Sequence, residues 1–296
     1  MQLSDIHLRD PFVVPMREEG RYYLYGTTRL VPGPRGFDTY TSSDLKEWHG
    51  PFEVFRPEAG FWADRDFWAA EVHRYQGRYF MFASFKAEGV RRGTAILVAD
   101  SPRGPFHLHS DGPVTPREWE CLDGTLYIDD EGTPWIVFCH EWVQVHDGEM
   151  CALRLTPELD RTAGDPILLF RASELLWIVS VRPGQQELVT DGPCLHRARN
   201  GELLMLWSTF GRGGYGVATA RSTSGRISGP WKQDPTPLYS QDGGHGSLFR
   251  TFDGQLMLQL HKPNKSPHER PLFLPVREDN GRLHVILSEA KNPPFA

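Results

Sequence analysis

Apolar residues in this chain come in short alternating runs separated by turn residues. Phe12-Val13-Val14, Arg21 to Gly26 and Phe37 to Ser42 are three such runs, with a turn at Glu18-Glu19-Gly20. Period-two alternation between clusters of Gly, Pro, Asn and Asp predicts half-buried strands. The grammar then repeats. Ala70 to Arg74, Arg78 to Ala83 and Thr94 to Ala99 form a second set around Gln76-Gly77. Gly124 to Ile128, Pro134 to Phe138 and Met150 to Leu155 form a third around Asp129 to Gly132. Pro193 to Arg197, Leu203 to Ser208 and Tyr215 to Ala220 form a fourth around Asn200-Gly201. Gly246 to Arg250, Gln255 to Leu260 and Arg270 to Val276 form a fifth around Asp253-Gly254. No segment sustains a helical period; Leu168 to Ile178 is the best candidate and it is short. The chain reads as all-β.

Each set opens with an ionisable residue just before its first strand: Asp10, Glu71, Asp123, Asp191 and His245. Their separations are about 61, 52, 68 and 54 residues, which predicts one repeated structural unit. Five units of three or four strands fit a five-bladed β-propeller occupying the whole chain, 1–296, as a single domain. First strands of propeller blades line the axis, so the five residues are expected to converge on one funnel. The stretches that break the rhythm, Val31 to Gly36, Pro51 to Phe67, Val143 to Glu149, Arg171 to Leu188 and His261 to Glu269, are expected as rim loops.

Composition narrows the class. A net charge of -6 argues against nucleic acid or an anionic membrane as the main partner. Nine tryptophans and 12% aromatics suit a sugar-binding cleft, although they suit a β core nearly as well. Cys121, Cys139, Cys151 and Cys194 show no CxxC spacing and are expected as reduced thiols. Met1 to Asp5 lacks the basic and apolar regions of a signal peptide, and no run of about 18 apolar residues exists to span a membrane. The expected location is cytoplasmic.

Three carboxylates on one axis suggest glycoside hydrolysis. An inverting glycosidase pairs a base that activates water with an acid that protonates the leaving oxygen, and a third carboxylate can raise the acid's pKa. The strand-start motifs Arg9-Asp10-Pro11, Leu122-Asp123-Gly124, Thr190-Asp191-Gly192-Pro193, Gly243-Gly244-His245-Gly246 and Trp68-Ala69-Ala70-Glu71-Val72 resemble those of glycoside hydrolase family 43. That resemblance covers Asp10 to about Val276. It implies a five-bladed propeller with Asp10 as general base and Asp123 as the residue that tunes and orients the acid. It also implies that His245 would hold a water, or a calcium ion bridged by waters, at the axis, and it calls for no organic cofactor.

One position departs from the pattern. The family's acid is usually Glu in Glu-Gly-Pro, whereas Asp191 is one methylene shorter. Either Asp191 is the acid, with the sugar seated slightly deeper, or another carboxylate serves. Glu141, between His140 and Trp142 at the end of a strand, is the first substitute and Glu71 the next. Each Asp taken alone is an ordinary turn residue before Gly or Pro; three at strand starts in register point to function. Trp62, Trp68 and Trp142 are candidates for stacking on sugar, Glu71 and His245 for touching it, and Arg270 for reaching a substrate hydroxyl or an axial carboxylate. Asp38, Asp253 and Asp279 read as turn carboxylates. The expected activity is exo-acting hydrolysis of a terminal pentosyl residue from an oligosaccharide or glycoside. An α-L-arabinofuranosidase fits best, with β-xylosidase or galactofuranosidase as variants. The alternative from a different class is a sugar-binding propeller without catalysis.

Overall fold

The structure is a computed structural model that describes residues 1–28 and 35–287. Blade 1 comprises Leu8–Met16 (β1), Arg21–Thr28 (β2), Phe37–Ser42 (β3) and His49–Phe55 (β4). Blade 2 comprises Arg65–Tyr75 (β5), Arg78–Ala87 (β6), Val90–Ala99 (β7) and His107–Pro113 (β8). Blade 3 comprises Cys121–Ile128 (β9), Pro134–His140 (β10), Glu149–Leu155 (β11) and Thr162–Arg171 (β12). Blade 4 comprises Asp191–Arg197 (β13), Leu203–Gly211 (β14), Gly214–Ser222 (β15) and Trp231–Gln233 (β16). Blade 5 comprises Gly244–Arg250 (β17), Leu256–Lys262 (β18), Arg270–Asp279 (β19) and Arg282–Val285 (β20). Each blade is a four-stranded antiparallel meander in sequence order. The first strands contact one another in a ring, β1 to β5, β9, β13, β17 and back to β1. The fold is the expected all-β, five-bladed β-propeller.

Its stability comes from five apolar layers, one between each pair of adjacent blades. The second strand of each blade is apolar on both faces, because both are covered. In β2, Tyr23 and Tyr25 pack toward blade 2 while Tyr22 and Leu24 pack toward blade 5. In β6, Met81, Ala83 and Phe85 face blade 1 while Phe80 and Phe82 face blade 3. Blades 3 and 4 share Val137, Cys139, Met205 and Trp207, and blades 4 and 5 share Leu204, Leu206 and Leu258. Blades 5 and 1 share no strand. Side chains close that seam: Gln259 Oε1 accepts from the Val13 amide (2.8 Å), and the Tyr22 hydroxyl accepts from the Phe252 amide (2.7 Å).

Several expectations change. The stretch 168–178 is no helix; it ends β12 and continues through a short 3-10 turn at Ala172–Glu174. Among the described residues the one α-helix is the single turn Trp142–Val145 (α1), and none is long and apolar enough to cross a membrane. Asp38 is not a turn residue: it is buried in β3, paired with Arg56 at 2.5 Å. All four cysteines are free, as expected. Of the expected loop Val31 to Gly36, positions 31–34 lie outside the described residues.

Candidate active site

Every first strand carries a bulge near its start, and the bulge builds the site. The register slips between Arg9 and Phe12, between Trp68 and Glu71, across 123–124, between Asp191 and Cys194, and between Gly244 and Ser247. One residue in each bulge is left-handed: Asp10 (φ 53°), Ala69 (49°), Asp123 (57°), Gly192 (49°) and His245 (54°). For the four non-glycines this costs about 1–3 kcal/mol each, so other bonds must hold it. They come from the second strand of the preceding blade. Thr27 Oγ1 accepts from the Ala69 amide (2.7 Å), Ser84 Oγ from Asp123 (2.9 Å), Ser208 Oγ from His245 (2.8 Å), and His261 Nδ1 from Asp10 (3.2 Å). Blade 3 has Cys139 at that place, paired across from Leu122, and there the Gly192 amide donates to Asp123 Oδ2 instead (3.0 Å).

The structural repeat therefore runs Asp10, Ala69, Asp123, Gly192, His245. Asp191 sits one residue ahead of its repeat position and Glu71 two behind. Asp191 still faces the axis. Glu71 does not belong to the cavity: it lies one layer further along, level with Phe12, Thr125, Cys194 and Ser247, and pairs with His73 Nε2 (3.2 Å). Its expected contact with substrate is corrected on that ground.

The cavity at the mouth of the ring holds about 200 Å³ and is lined by Asp10, Asp123, Asp191, Glu141, His245 and Tyr215, with Trp68, Trp142, Arg9 and Thr27 around them. The expected carboxylates thus meet in one place. Asp10 is tied down on every side. Thr27 Oγ1 donates to its Oδ2 (2.6 Å), His245 Nδ1 lies 3.3 Å from Oδ1, and Arg9 Nε lies 3.9 Å from the same oxygen. Burial alone would raise its pKa, but His245, Arg9 and the Thr27 hydroxyl outweigh burial and hold the carboxyl well below the usual range. His261 is pushed down to about 4 by burial, so it is neutral; its Nε2 donates to Asn264 Oδ1 (3.2 Å) and its Nδ1 accepts from Asp10.

Asp123 and Asp191 shift the other way. Burial raises both, to about 6 and about 7, and Asp191 is raised further by the charge of Asp123. Two buried carboxylates that repel each other hold a proton between them near neutral pH. Asp191 Oδ2 accepts from the Tyr215 hydroxyl at 2.9 Å. Glu141 is also raised, by burial and by Asp191, yet Arg92 opposes the rise by donating directly to its Oε2. Arg92 in turn donates to Asp66 Oδ2 (2.8 Å), and its guanidinium lies over the Trp68 ring at 4.4 Å. Trp142 carries the Arg182 guanidinium at 5.1 Å.

Burial works against a charge on His245, but Asp10, Asp123, Glu71 and Asp191 outweigh burial and raise its pKa. Its Nδ1 points between Asp10 and Asp123 (3.3 and 3.7 Å), and its Nε2 is buried without a hydrogen-bond partner among the described residues. With Nδ1 committed to the two carboxylates, the ring offers a cation a single nitrogen. Calcium takes six to eight oxygens, and no group of three His, Cys, Asp or Glu is arranged to hold a metal among the described residues. These residues fit a water at His245 Nε2 and do not fit a directly bound calcium.

Two other expectations are corrected. Arg270 does not reach the cavity: it donates to the carbonyls of Ser4 (2.8 Å) and Glu269 (2.9 Å) and meets His7, tying the N-terminal segment to blade 5. Among the described residues, the arginine that does line the cavity is Arg9, braced by Glu269 at 3.1 Å. Trp62 packs with Phe61 and Phe85 in the layer between blades 1 and 2. Thr27 and Tyr215 were hidden because both read as ordinary strand residues. A small hydroxyl residue late in the second strands of blades 1, 2 and 4, Thr27, Ser84 and Ser208, is the signal in the sequence for Thr27.

A five-bladed ring with a small acidic cavity at its mouth defines a class. The family model for glycosyl hydrolases family 43 matches residues 4–282, and the chain belongs to that family. Among solved structures, an endo-arabinase from Bacteroides thetaiotaomicron VPI-5482 is 43% identical with a TM-score of 0.90, covering 95% of this chain and 98% of that one. An α-L-arabinofuranosidase from Lactobacillus brevis, 16% identical over 95% of both chains with a TM-score of 0.73, shares the fold. Curated relatives include xylosidase/arabinosidase 43A of Humicola insolens, 27% identical over 27% of this chain. A xylosidase/arabinosidase of Bacteroides ovatus is 24% identical over 37% of this chain. The matched stretches span 24% and 39% of those relatives' own lengths.

Proposed function

We propose that the chain is an inverting exo-glycosidase that removes one terminal pentofuranosyl residue, with α-L-arabinofuranosides as the leading substrate class. The observation that carries this reading is the meeting of Asp10, Asp123 and Asp191 in one small cavity, where His245, Arg9 and Thr27 hold the Asp10 carboxyl low while burial and the charge of Asp123 raise Asp191 to about 7. Asp10 takes a proton from the attacking water while Asp191 gives one to the glycosidic oxygen as the C–O bond breaks. Asp123, through its charge, sustains the proton on Asp191. His245 places Nδ1 beside Asp10 and Asp123 and offsets their charge. Glu141, held by Arg92, is an acceptor for a sugar hydroxyl, and Trp68 and Trp142 offer ring faces. A binding module without catalysis gains nothing from carboxyls held in opposite protonation states.

The exo reading is supported by size. A cavity of about 200 Å³ lies below the roughly 300 Å³ lower end of ordinary ligand clefts and suits one ring. Similarity to a protein named endo-arabinase favours a second reading, internal cleavage of arabinan. β-Xylosides and galactofuranosides are variants of the first. A cytoplasmic location would restrict the enzyme to short oligosaccharides. Incubation with linear arabinan and with nitrophenyl arabinofuranoside, xyloside and galactofuranoside separates the readings. The exo account predicts arabinose alone from arabinan and turnover of the arabinofuranoside. A ladder of oligosaccharides would establish the endo reading, and no turnover of any of the four would leave the binding module.

A further inference from the structure

Asp191 reaches the cavity on a short side chain whose last torsion is soft, since a carboxyl about an sp³–sp² bond has a broad, two-fold preference. Something must set its angle. The Tyr215 hydroxyl donates to Oδ2 at 2.9 Å, and the tyrosine itself is locked in place. Its ring is 1% exposed and lies against Phe210 (centroids 4.9 Å apart) and His261 (5.7 Å). A Cβ at position 244 would come within 2.5 Å of the ring, so Gly244 leaves the space it occupies. Burial pushes its phenol pKa well up, with Asp191 and Asp10 adding to the rise, so the hydroxyl keeps its proton and acts as a donor.

We infer that Tyr215 is the positioning residue of the acid: by occupying Asp191 Oδ2 it places the transferable proton on Oδ1. This rests on the reading of Asp191 as general acid. In the reaction Oδ1–H passes to the glycosidic oxygen as that oxygen takes the electron pair of the breaking C–O bond. The carboxylate left behind is stabilised at Oδ2 by the same hydroxyl. Tyr215 lines the cavity, but its hydroxyl is engaged by Asp191 Oδ2 and Phe would keep its ring in place, so its loss should alter proton delivery more than sugar binding.

The test is Tyr215→Phe beside Asp191→Asn. The substrates are a nitrophenyl glycoside and a disaccharide of whichever sugar the wild type hydrolyses. Phe keeps the ring packing, which a melting curve near wild type verifies. Expected for Tyr215→Phe is a fall in disaccharide kcat of roughly tenfold to a hundredfold, the worth of a hydrogen bond to a charged group. KM should stay near wild type and nitrophenyl turnover, which needs little protonation, should change far less. Equal losses on both substrates, or a raised KM with kcat intact, would overturn the inference while a leaving-group split in Asp191→Asn keeps the acid assignment. A flat response in Asp191→Asn, or a wild type idle on every glycoside, overturns both.

Discussion

Asp10 in blade 1 and Asp191 in blade 4 are the same residue in the same cavity, yet they hold protons oppositely. Asp10 occupies the left-handed bulge position itself, where His245 and Arg9 stand beside it and Thr27 donates to it. Asp191 stands one residue earlier, where the charges of Asp123 and Asp10 raise it against the opposing pull of His245, and its one side-chain donor is a neutral phenol. Burial acts on both in the same direction. What differs is the balance of neighbouring charge, and that difference suits one carboxyl to the proposed role of base and the other to that of acid. A slip of one residue at a strand start therefore carries chemical meaning.

The largest effect should come from breaking the ionised half. Asp10→Asn is nearly isosteric and should keep the fold, yet lower kcat on every substrate by about 10²–10⁴-fold or more through loss of the base. Steady-state kinetics on aryl and sugar leaving groups checks it, and the loss should be alike for both.

A smaller effect is expected at the third raised carboxyl. Glu141→Gln removes an acceptor held by Arg92 and should lower kcat/KM by roughly tenfold, the worth of one hydrogen bond to a charged group. The loss should show no preference for the leaving group.

The bulges predict a change in stability without a change in chemistry. Ser208 Oγ accepts from the amides of both His245 (2.8 Å) and Gly246 (3.3 Å), and both are buried. Ser208→Ala should cost about 1–3 kcal/mol in denaturant unfolding by leaving those donors unpaired. The smallest effect concerns the ion: with no direct ligand set at His245, chelation should leave melting temperature and turnover unchanged. A drop in either would show that a water-held calcium serves the site.

The contrast between the two aspartates also marks what could be read without coordinates. Blade number and strand order were legible, because second strands such as Leu203 to Ser208 are apolar on both faces and recur at a near-regular interval. The convergence of Asp10, Asp123, Asp191 and His245 followed from that repeat. The offset of Asp191 did not, since Asp-Gly and Asp-Pro look alike as turn signals whichever residue takes the left-handed position. At blade 2 that position is Ala69, a residue type with no preference for it, so the neighbouring Glu71 attracted the assignment. Arg270 misled for another reason: it opens a strand as the axial residues do, but β19 is the third strand of its blade and lies away from the axis. Tyr215 alternates as core residues do, and only the contact with Asp191 distinguishes it.

The central claim is that Asp191 carries the catalytic proton while Asp10 does not. It is tested most directly by kcat/KM against pH for the wild type, Asp191→Asn and Glu141→Gln. Activity needs Asp10 ionised, which holds at every pH above its depressed pKa, and Asp191 protonated, which holds below about 7. With a sugar leaving group, wild-type activity should therefore fall as pH rises through about 7. Asp191→Asn, followed through its residual activity on the same substrate, should lose that alkaline limb, and Glu141→Gln should keep it. An alkaline limb that survives in Asp191→Asn and vanishes in Glu141→Gln would contradict the account and make Glu141 the acid.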